Sequence, residues 1–208
     1  MVWVATPPTR PALRERYDRR QQRVVVAAAR LFAEQGYDQT SVQELTEAMG
    51  LASGGLYHYF ASKEQLLIRI CDQLMEPLLE ETLALLATDA VAEDQLRALV
   101  RLWVAHVIDH RDHMLVFQQE RHLIERGEQW RGVRASRKQF ERLLADLLDR
   151  VHGADGGLPG DRRLALSALL GMVNHTPQWY RRNGRLMPQD VADGYVDLLL
   201  GRASSATG

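Results

Sequence analysis

The sequence lacks several features that would place it in a common class of protein. Its 208 residues include a single cysteine, Cys71, so neither an internal disulfide nor a cysteine-based zinc site can form. No apolar run approaches the ~20 residues that a membrane-spanning helix needs. The opening Met1–Thr6 is too short for a signal-peptide core, and the formal net charge of −1 excludes a wholesale polycation. We therefore expect a cytoplasmic protein with no membrane partner.

The motifs of the common enzyme classes are missing as well. The sequence contains no Gly-x-Ser-x-Gly elbow, no phosphate-binding P-loop, no dinucleotide-binding glycine fingerprint and no His-Glu-x-x-His motif. Cys71 stands beside the apolar Ile70, a setting that favours an inert core thiol over a nucleophile. We expect a protein that is not an enzyme and carries no cofactor.

Strand signals are scarce, and glycine and proline punctuate helical patterns instead. Ser41 with Glu44 forms a capping box, and Ser53 and Ser62 are expected to cap the next two helices. The spacing predicts an all-α fold without strands. Its nine predicted helices span residues 17–35, 42–49, 53–60, 63–87, 91–110, 111–126, 127–151, 161–182 and 188–202.

These helices divide into a small head and a larger body. We expect the chain to consist of a disordered basic leader, a helix-turn-helix head, a helical body for effector binding and dimerisation, and a disordered tail. Their expected bounds are 1–16, 17–63, 64–202 and 203–208.

Positive charge is concentrated near the amino terminus. Residues 10–23 contain six arginines against two carboxylates. A cationic stretch on a near-neutral chain indicates a polyanionic partner for this end of the molecule. The alternative at this stage is a solvated amino terminus.

The second and third predicted helices form a helix-turn-helix unit. Leu45 is spaced to face Leu56 across the turn, and Gly50 permits the left-handed backbone that such a turn needs. The outward side chains of the third helix would then be free to enter a major groove. Two capped amphipathic helices occur in many bundles, so this pattern alone is weak.

Residues 24–70 closely resemble the DNA-binding head of TetR-type transcriptional repressors. The resemblance rests on Leu-Phe-x-x-x-Gly-Tyr at 31–37, on Thr40, and on Leu-Tyr-His-Tyr-Phe-x-x-Lys-Glu at 56–64. It implies a homodimer that binds a palindromic operator in double-stranded DNA and is released by a small-molecule effector. A helical adaptor that uses its head for protein contacts, and an activator with the same head, are the alternatives.

The resemblance also implies which residues contact DNA. The hydroxyl residues before the second helix grip a phosphate, and small residues open the reading helix. Its aromatic residues and histidine reach bases or sugar, the last tyrosine and the lysine hold the flanking backbone, and the arginines reach neighbouring phosphates. In chain order these residues are Arg19, Arg20, Arg23, Thr40, Ser41, Ser53, Gly54, Gly55, Tyr57, His58, Tyr59 and Lys63.

The segment Trp179–Leu186 resembles an ending found in one branch of the family, whose effectors are acyl-CoA thioesters. Arginines in this segment suit CoA phosphates, and the alternative for Arg181 and Arg182 is that they cap a helix C-terminus. Aromatic and methionine positions of this kind more often belong to a core than to a ligand site. The candidate pocket residues are Trp103, His106, Val107, Met114, Phe117, Gln118, Arg121, Met172, His175, Trp179, Arg181 and Arg182.

The resemblance places the dimer interface on the last two helices. The candidate interface residues, for which burial within the protomer is the alternative, are Leu166, Leu169, Leu170, Val173, Val196, Leu199 and Leu200. His106 and His110 are four residues apart, a spacing that can bind a transition metal. Such bare pairs are usually solvated, and we expect no metal.

Overall fold

The computed structural model describes residues 7–52, 54–153 and 160–202. Across these ranges the chain forms nine α-helices, two short 3₁₀ helices and no strand, which confirms the predicted all-α class. The 3₁₀ helices span Gly55–His58 and Glu128–Trp130. The α-helices are α1 (Pro11–Gln35), α2 (Val42–Ala48), α3 (Lys63–Leu86), α4 (Ala92–Asp109), α5 (Arg111–Gln119), α6 (Arg121–Ile124), α7 (Arg131–His152), α8 (Arg162–Trp179) and α9 (Pro188–Leu199).

The chain divides into two compact units. Unit one contains the residues up to Leu74 together with Asp112–Val133, and unit two contains Met75–Arg111 and the residues from Arg134 onward. The structure therefore groups residues 112–133, which were expected in the body, with the head. No helix among the described residues is long and apolar enough to span a membrane.

Helix α1 begins earlier than predicted. Residues 11–16 are helical, so the expectation of a disordered leader is wrong for them, and residues 1–6 lie outside the described ranges. Pro11 occupies the first turn, where its fixed φ suits a helix and its missing N–H costs no hydrogen bond. The expected tail at 203–208 also lies outside the described residues.

The predicted helix at 53–60 is a four-residue 3₁₀ helix. Its N-cap is Gly54, whose φ of 79° is in the left-handed region that glycine adopts without steric strain. Ser53, the predicted cap of this helix, lies outside the described residues.

Four further predicted helices differ from the structure: α7 begins at Arg131 instead of residue 127, α9 ends at Leu199 instead of residue 202, and the other two are interrupted or shortened. The helix expected at 111–126 is broken at Glu120, which has non-helical angles (φ −95°, ψ 17°) and separates α5 from α6. The helix expected at 161–182 ends at Trp179, because Tyr180 is extended. Arg181 and Arg182 consequently lie beyond α8.

Several local predictions are confirmed. The capping box of Ser41 and Glu44 is formed in both directions, and the Ser62 hydroxyl accepts from the Gln65 amide at 3.0 Å. Leu45 and Leu56 are fully buried in unit one, which stabilises the helix-turn-helix by about 1.5–3 kcal/mol for each side chain. In unit two, the Trp103 ring packs edge-on against the Phe140 ring of α7, with the ring centroids 4.8 Å apart.

Candidate nucleic-acid interface

The turn between α2 and the 3₁₀ helix orients the predicted reading element, which we call the reading turn (residues 54–60). Gly50 has a φ of 60°, which lets the Leu51 amide turn back and donate to the Thr46 carbonyl at 2.9 Å. With Leu56 buried on one side of the 3₁₀ helix, Tyr57 is half-buried and His58 is exposed. The helix-turn-helix therefore leaves both side chains accessible to a ligand.

A cationic groove of about 760 Å³ runs beside this element. Its lining comes from α1 and from the end of the reading turn: Arg16, Tyr17, Arg19, Arg20, Gln22, Arg23 and Tyr59. Arg16, Arg20 and Arg23 are exposed and form no ion pair with any carboxylate in the described ranges. Arg19 lies 3.7 Å from Glu15, but both side chains are 70% exposed, so the pair is weak.

A second groove lies beside the same turn. It is formed by α2 and the start of the reading turn, and its lining residues are Val42, Gln43, Thr46, Glu47, Leu51, Gly54 and Tyr57. The Gln43 amide donates to the Glu47 carboxylate at 2.9 Å. An amide and a phenol are groups that read base edges or sugar, whereas arginines bind phosphate. The head thus offers both kinds of contact.

Two of the predicted phosphate contacts have internal partners. The Thr40 side chain is fully buried, and its hydroxyl donates to the Gly36 carbonyl at 2.8 Å. The Lys63 ammonium donates to the carbonyls of Tyr37 and Thr40 at 2.8 and 3.0 Å. It also lies 4.2 Å from the Tyr37 ring centroid. These two side chains shape the α1–α2 loop, and their contact with phosphate stays a prediction.

The remaining predicted DNA contacts are placed as follows. Ser41 is exposed, but its hydroxyl and amide are both used in the capping box. Gly54 is exposed, and Gly55 is buried. Tyr59 is half-buried with its ring 5.1 Å from that of Tyr17. Sequence reasoning missed Arg16, Tyr17 and Gln22 as groove residues. The helical spacing of the arginines along residues 16–23 is the signal that would have identified Arg16.

The candidate effector residues are divided between the two units. Unit one holds Met114 and Phe117, which are buried, with a half-buried glutamine and an exposed arginine at positions 118 and 121. Unit two holds the other eight. Among these, Trp103 and Val107 are buried, and His106 and Met172 are half-buried. The exposed ones are His175, Trp179, Arg181 and Arg182.

The segment after α8 is largely exposed. Arg182 donates to the Asp109 carboxylate at 3.0 Å, and Arg111 donates to the Pro177 carbonyl at 3.1 Å. In the part of the chain that the structure describes, neither Arg181 nor Arg182 hydrogen-bonds a carbonyl of α8. No hydrogen bond therefore supports these arginines as helix caps, and a favourable interaction with the helix dipole stays a prediction.

Among the residues that the structure describes, those considered for metal binding or reactivity form neither a metal-binding cluster nor an activated nucleophile. The His106 and His110 rings stack with centroids 4.3 Å apart. Within the described ranges, no group of three or more histidine, cysteine or acidic side chains is arranged to hold a metal. Cys71 is fully buried, and this burial raises the pKa of its thiol far above the ordinary value. Little thiolate forms at neutral pH, so the thiol is a poor nucleophile.

The last two helices bury part of the predicted dimer interface inside the protomer. Leu169, Val173, Val196 and Leu200 are buried, as the alternative interpretation expects. Leu166, Leu170 and Leu199 are half-buried. The most exposed leucines of α8 and α9 are Leu164 and Leu198, each with 70% of its surface accessible.

A helix-turn-helix unit beside exposed arginines that form no ion pair within the described ranges is the arrangement expected of a DNA-binding protein. Comparison with protein families gives the same class: residues 24–70 match the model described as bacterial regulatory proteins of the tetR family. Residues 89–203 match the model described as the tetracyclin repressor-like C-terminal domain. The chain therefore belongs to the TetR family of bacterial transcriptional regulators, whose members are not enzymes.

Individual relatives agree with this assignment. The chain is 27% identical over 198 residues to the transcriptional repressor KstR2 of Rhodococcus jostii, covering 94% of this chain and 96% of that one. The crystal structure of the TetR-family regulator PfmR from Thermus thermophilus has a TM-score of 0.75 at 30% identity, with 88% and 99% of the two chains covered. The crystal structure of AibR in complex with isovaleryl coenzyme A and operator DNA has a TM-score of 0.75 at 28% identity, with 88% and 100% covered.

Proposed function

We propose that this regulator is a homodimeric repressor that binds a palindromic operator and is released by an acyl-CoA thioester. The observation that carries the DNA-binding part is the unpaired arginine surface of Arg16, Arg20 and Arg23, which lines one groove with the reading turn. Arginines without acidic partners bind phosphate without first breaking an ion pair. Tyr57 and His58, which are accessible on the turn, supply the contacts to bases or sugar.

Dimerisation is supported by the exposed faces of α8 and α9. On α8, Leu164, Ala168 and Gly171 are exposed at helical spacing. On α9, Gly194 is half-buried and Leu198 is 70% exposed, again four residues apart. Small and apolar residues at such spacing let two helices approach closely. A two-fold dimer presents two identical heads, and this symmetry matches a palindromic operator.

The effector class is supported by the chemistry of the segment 179–186. An acyl-CoA carries anionic phosphates on one end and an apolar acyl group on the other. Arg181 and Arg185 are exposed and have no acidic partner in the described ranges, and so they suit the phosphates. Buried apolar side chains such as Trp103 and Val107 suit the acyl group. The AibR crystal structure, which contains isovaleryl coenzyme A, agrees with this class.

Release requires that the effector bind one conformation of the protein more tightly than the other. The coupling free energy between effector and DNA is typically about 1–3 kcal/mol, which corresponds to a roughly 5- to 150-fold change in affinity. We therefore expect the thioester to weaken operator binding, and operator DNA to weaken thioester binding by the same factor.

The test begins with selection of duplexes from a random-sequence library by the wild-type protein. Fluorescence anisotropy then measures binding of the selected duplex with isovaleryl-CoA, a long-chain acyl-CoA or phenylacetyl-CoA, and with each free acid and CoA alone as controls. The proposal expects at least one thioester, and none of the free acids, to release the DNA. Arg181→Ala with Arg185→Ala should weaken that response, whereas the exposed Arg142→Ala in α7 should not.

The outcomes separate the parts of the proposal. Enrichment of a sequence without release by any thioester would contradict the effector class and leave the DNA-binding function in place. Failure to enrich any sequence would contradict the regulator function and favour a helical adaptor. A promoter–reporter fusion in cells distinguishes repression from activation by the sign of the change in transcription.

A further inference from the structure

The reading turn depends on support from outside the helix-turn-helix. Its 3₁₀ helix spans four residues, and its internal hydrogen bonds include the Tyr57 amide to the Gly54 carbonyl and the Tyr59 amide to the Leu56 carbonyl. A 3₁₀ helix has poorer hydrogen-bond geometry than an α-helix, and carbonyls at a helix end have no partner within the helix. The carbonyls of His58 and Tyr59 therefore need donors from elsewhere.

Helix α1 provides both donors. The Tyr17 hydroxyl donates to the His58 carbonyl at 3.0 Å, and the Gln21 amide donates to the Tyr59 carbonyl at 3.4 Å. Tyr17 and Gln21 are four residues apart and so share one face of the helix. The Tyr17 ring also packs against the Tyr59 ring, with centroids 5.1 Å apart at 38°. One face of α1 thus holds two consecutive carbonyls and one side chain of the reading turn.

These donors lie outside the part of the chain that defines the family's DNA-binding head. The family model begins at residue 24, whereas Tyr17 and Gln21 belong to the preceding turns of the same helix. Those turns also carry Arg16, Arg20 and Arg23, which line the groove. The arginines and the two donors alternate along α1, so the same stretch both faces the groove and supports the reading turn.

We propose that Tyr17 and Gln21 are positioning residues that determine how well the protein discriminates its operator from other DNA. This inference rests on the proposed DNA-binding function and adds the determinant of its specificity. Anchoring the carbonyls of His58 and Tyr59 sets the backbone direction of the reading turn, and this direction aims the Tyr57 and His58 side chains. Phosphate contacts give affinity without sequence information, so loss of the anchor reduces discrimination and leaves general DNA affinity intact.

The experiment measures the dissociation constants of variants for two duplexes. One duplex carries the sequence selected by the wild-type protein, and the other has the same composition in scrambled order. Tyr17→Phe removes the hydroxyl and keeps the ring, and Gln21→Ala removes the amide. Tyr195→Phe is the matched control because it removes a hydroxyl that hydrogen-bonds Thr176, at 2.9 Å, and Trp179, both in unit two. Gln139→Ala, an exposed glutamine of α7, is the control for the amide.

We expect Tyr17→Phe to lower the ratio of scrambled to selected dissociation constants about three- to tenfold, as the loss of one hydrogen bond predicts. Gln21→Ala should lower it less, and the double variant more. The slope of binding against salt concentration should stay unchanged, because the arginines that bind phosphate are all retained. Both controls should keep the wild-type ratio.

Three results would overturn the inference. The first is an unchanged ratio in both single variants when urea unfolding shows that they are folded. The second is an equal loss of affinity for both duplexes, which would make Tyr17 and Gln21 direct contacts to the DNA backbone, without sequence information. The third is a wild-type protein that selects no sequence, which would overturn the proposed function as well, whereas the first two leave that function standing.

Discussion

The carboxylate of Glu120 accepts a hydrogen bond from the backbone amide of Tyr37 at 3.2 Å, although 83 residues separate them in the chain. Glu120 is buried at the break between α5 and α6, and Tyr37 lies in the loop between α1 and α2. Lys63 binds the carbonyl side of the same loop. Two charged side chains from distant parts of unit one therefore hold the loop that leads into the helix-turn-helix.

Removing this acceptor should destabilise the protein. We expect Glu120→Ala to lower the free energy of unfolding by about 1–3 kcal/mol, because the backbone amide of Tyr37 loses its partner. Glu120→Gln keeps an acceptor oxygen and should cost less. Urea unfolding followed by circular dichroism measures both. The exposed Glu128→Ala should change stability little, and an equally small effect for Glu120→Ala would contradict this account of the loop.

Lys63 tests whether a predicted phosphate contact has an internal role instead. We expect Lys63→Met to lower the free energy of unfolding, because two carbonyls lose a charged donor. The salt slope of DNA binding should remain at the wild-type value. A slope lower by about 1 would show that the Lys63 ammonium neutralises a phosphate, as the family resemblance implies. Burial raises the pKa of the neighbouring Tyr37 phenol to about 12, further above physiological pH than its ordinary value.

How well the sequence predicts a feature of this structure depends on how far apart along the chain the interacting residues lie. The capping box of Ser41 and Glu44 involves four consecutive residues, so its pattern is visible in the chain. The contact of Tyr17 with His58 joins residues 41 positions apart, and no local pattern predicts it. The family resemblance identifies Lys63 by its position in a motif, but motifs do not show which way a side chain points.

The reading turn illustrates a second reason for error. Residues 53–60 are too few to distinguish a 3₁₀ helix from an α-helix by periodicity, because one turn of either places apolar residues similarly. The break at Glu120 has no local signal because the partner of its side chain is the distant amide of Tyr37. Both errors occur where packing overrides local preference.

An ion-pair cluster between α4 and α9 should make stability depend on pH. Arg101 donates two hydrogen bonds of 2.7 Å to Asp193, and Arg97 lies 2.9 Å from Asp197. The hydrogen bonds from Arg101 hold the pKa of Asp193 below its ordinary value. A carboxylate with a lowered folded-state pKa stabilises the fold above its unfolded pKa, which is about 3.9, and loses that contribution as the pH falls through the folded value.

We therefore expect Asp193→Asn to lower the free energy of unfolding by roughly 0.5–1 kcal/mol at pH 7. Between about pH 5 and pH 3 the variant should lose less stability than the wild type, because its side chain does not titrate. Urea unfolding at several pH values measures this difference. Asp146→Asn, in α7, serves as the control because no ion pair of this residue occurs in the described ranges. Parallel losses in wild type and Asp193→Asn on acidification would contradict the assignment.

The proposed dimer face predicts a change of oligomeric state. Leu198 is 70% exposed on α9, and a charge there would be buried without a partner in a helix-to-helix interface. We expect Leu198→Glu to convert a dimer to a monomer in light scattering and to weaken binding to a palindromic duplex. Leu83→Glu, on an exposed position of α3, is the matched control. A Leu198→Glu protein that remains dimeric would place the interface elsewhere.

The salt dependence of DNA binding tests the central claim most directly. Anisotropy titrations between about 50 and 200 mM NaCl should give a steep linear fall in log affinity for the wild-type protein. Replacing Arg16, Arg20 and Arg23 together by glutamine should reduce the slope by up to about 3, one for each phosphate that is no longer neutralised. A wild-type protein whose DNA binding is independent of salt, or a triple variant with an unchanged slope, would contradict the arginine surface as the DNA-binding element.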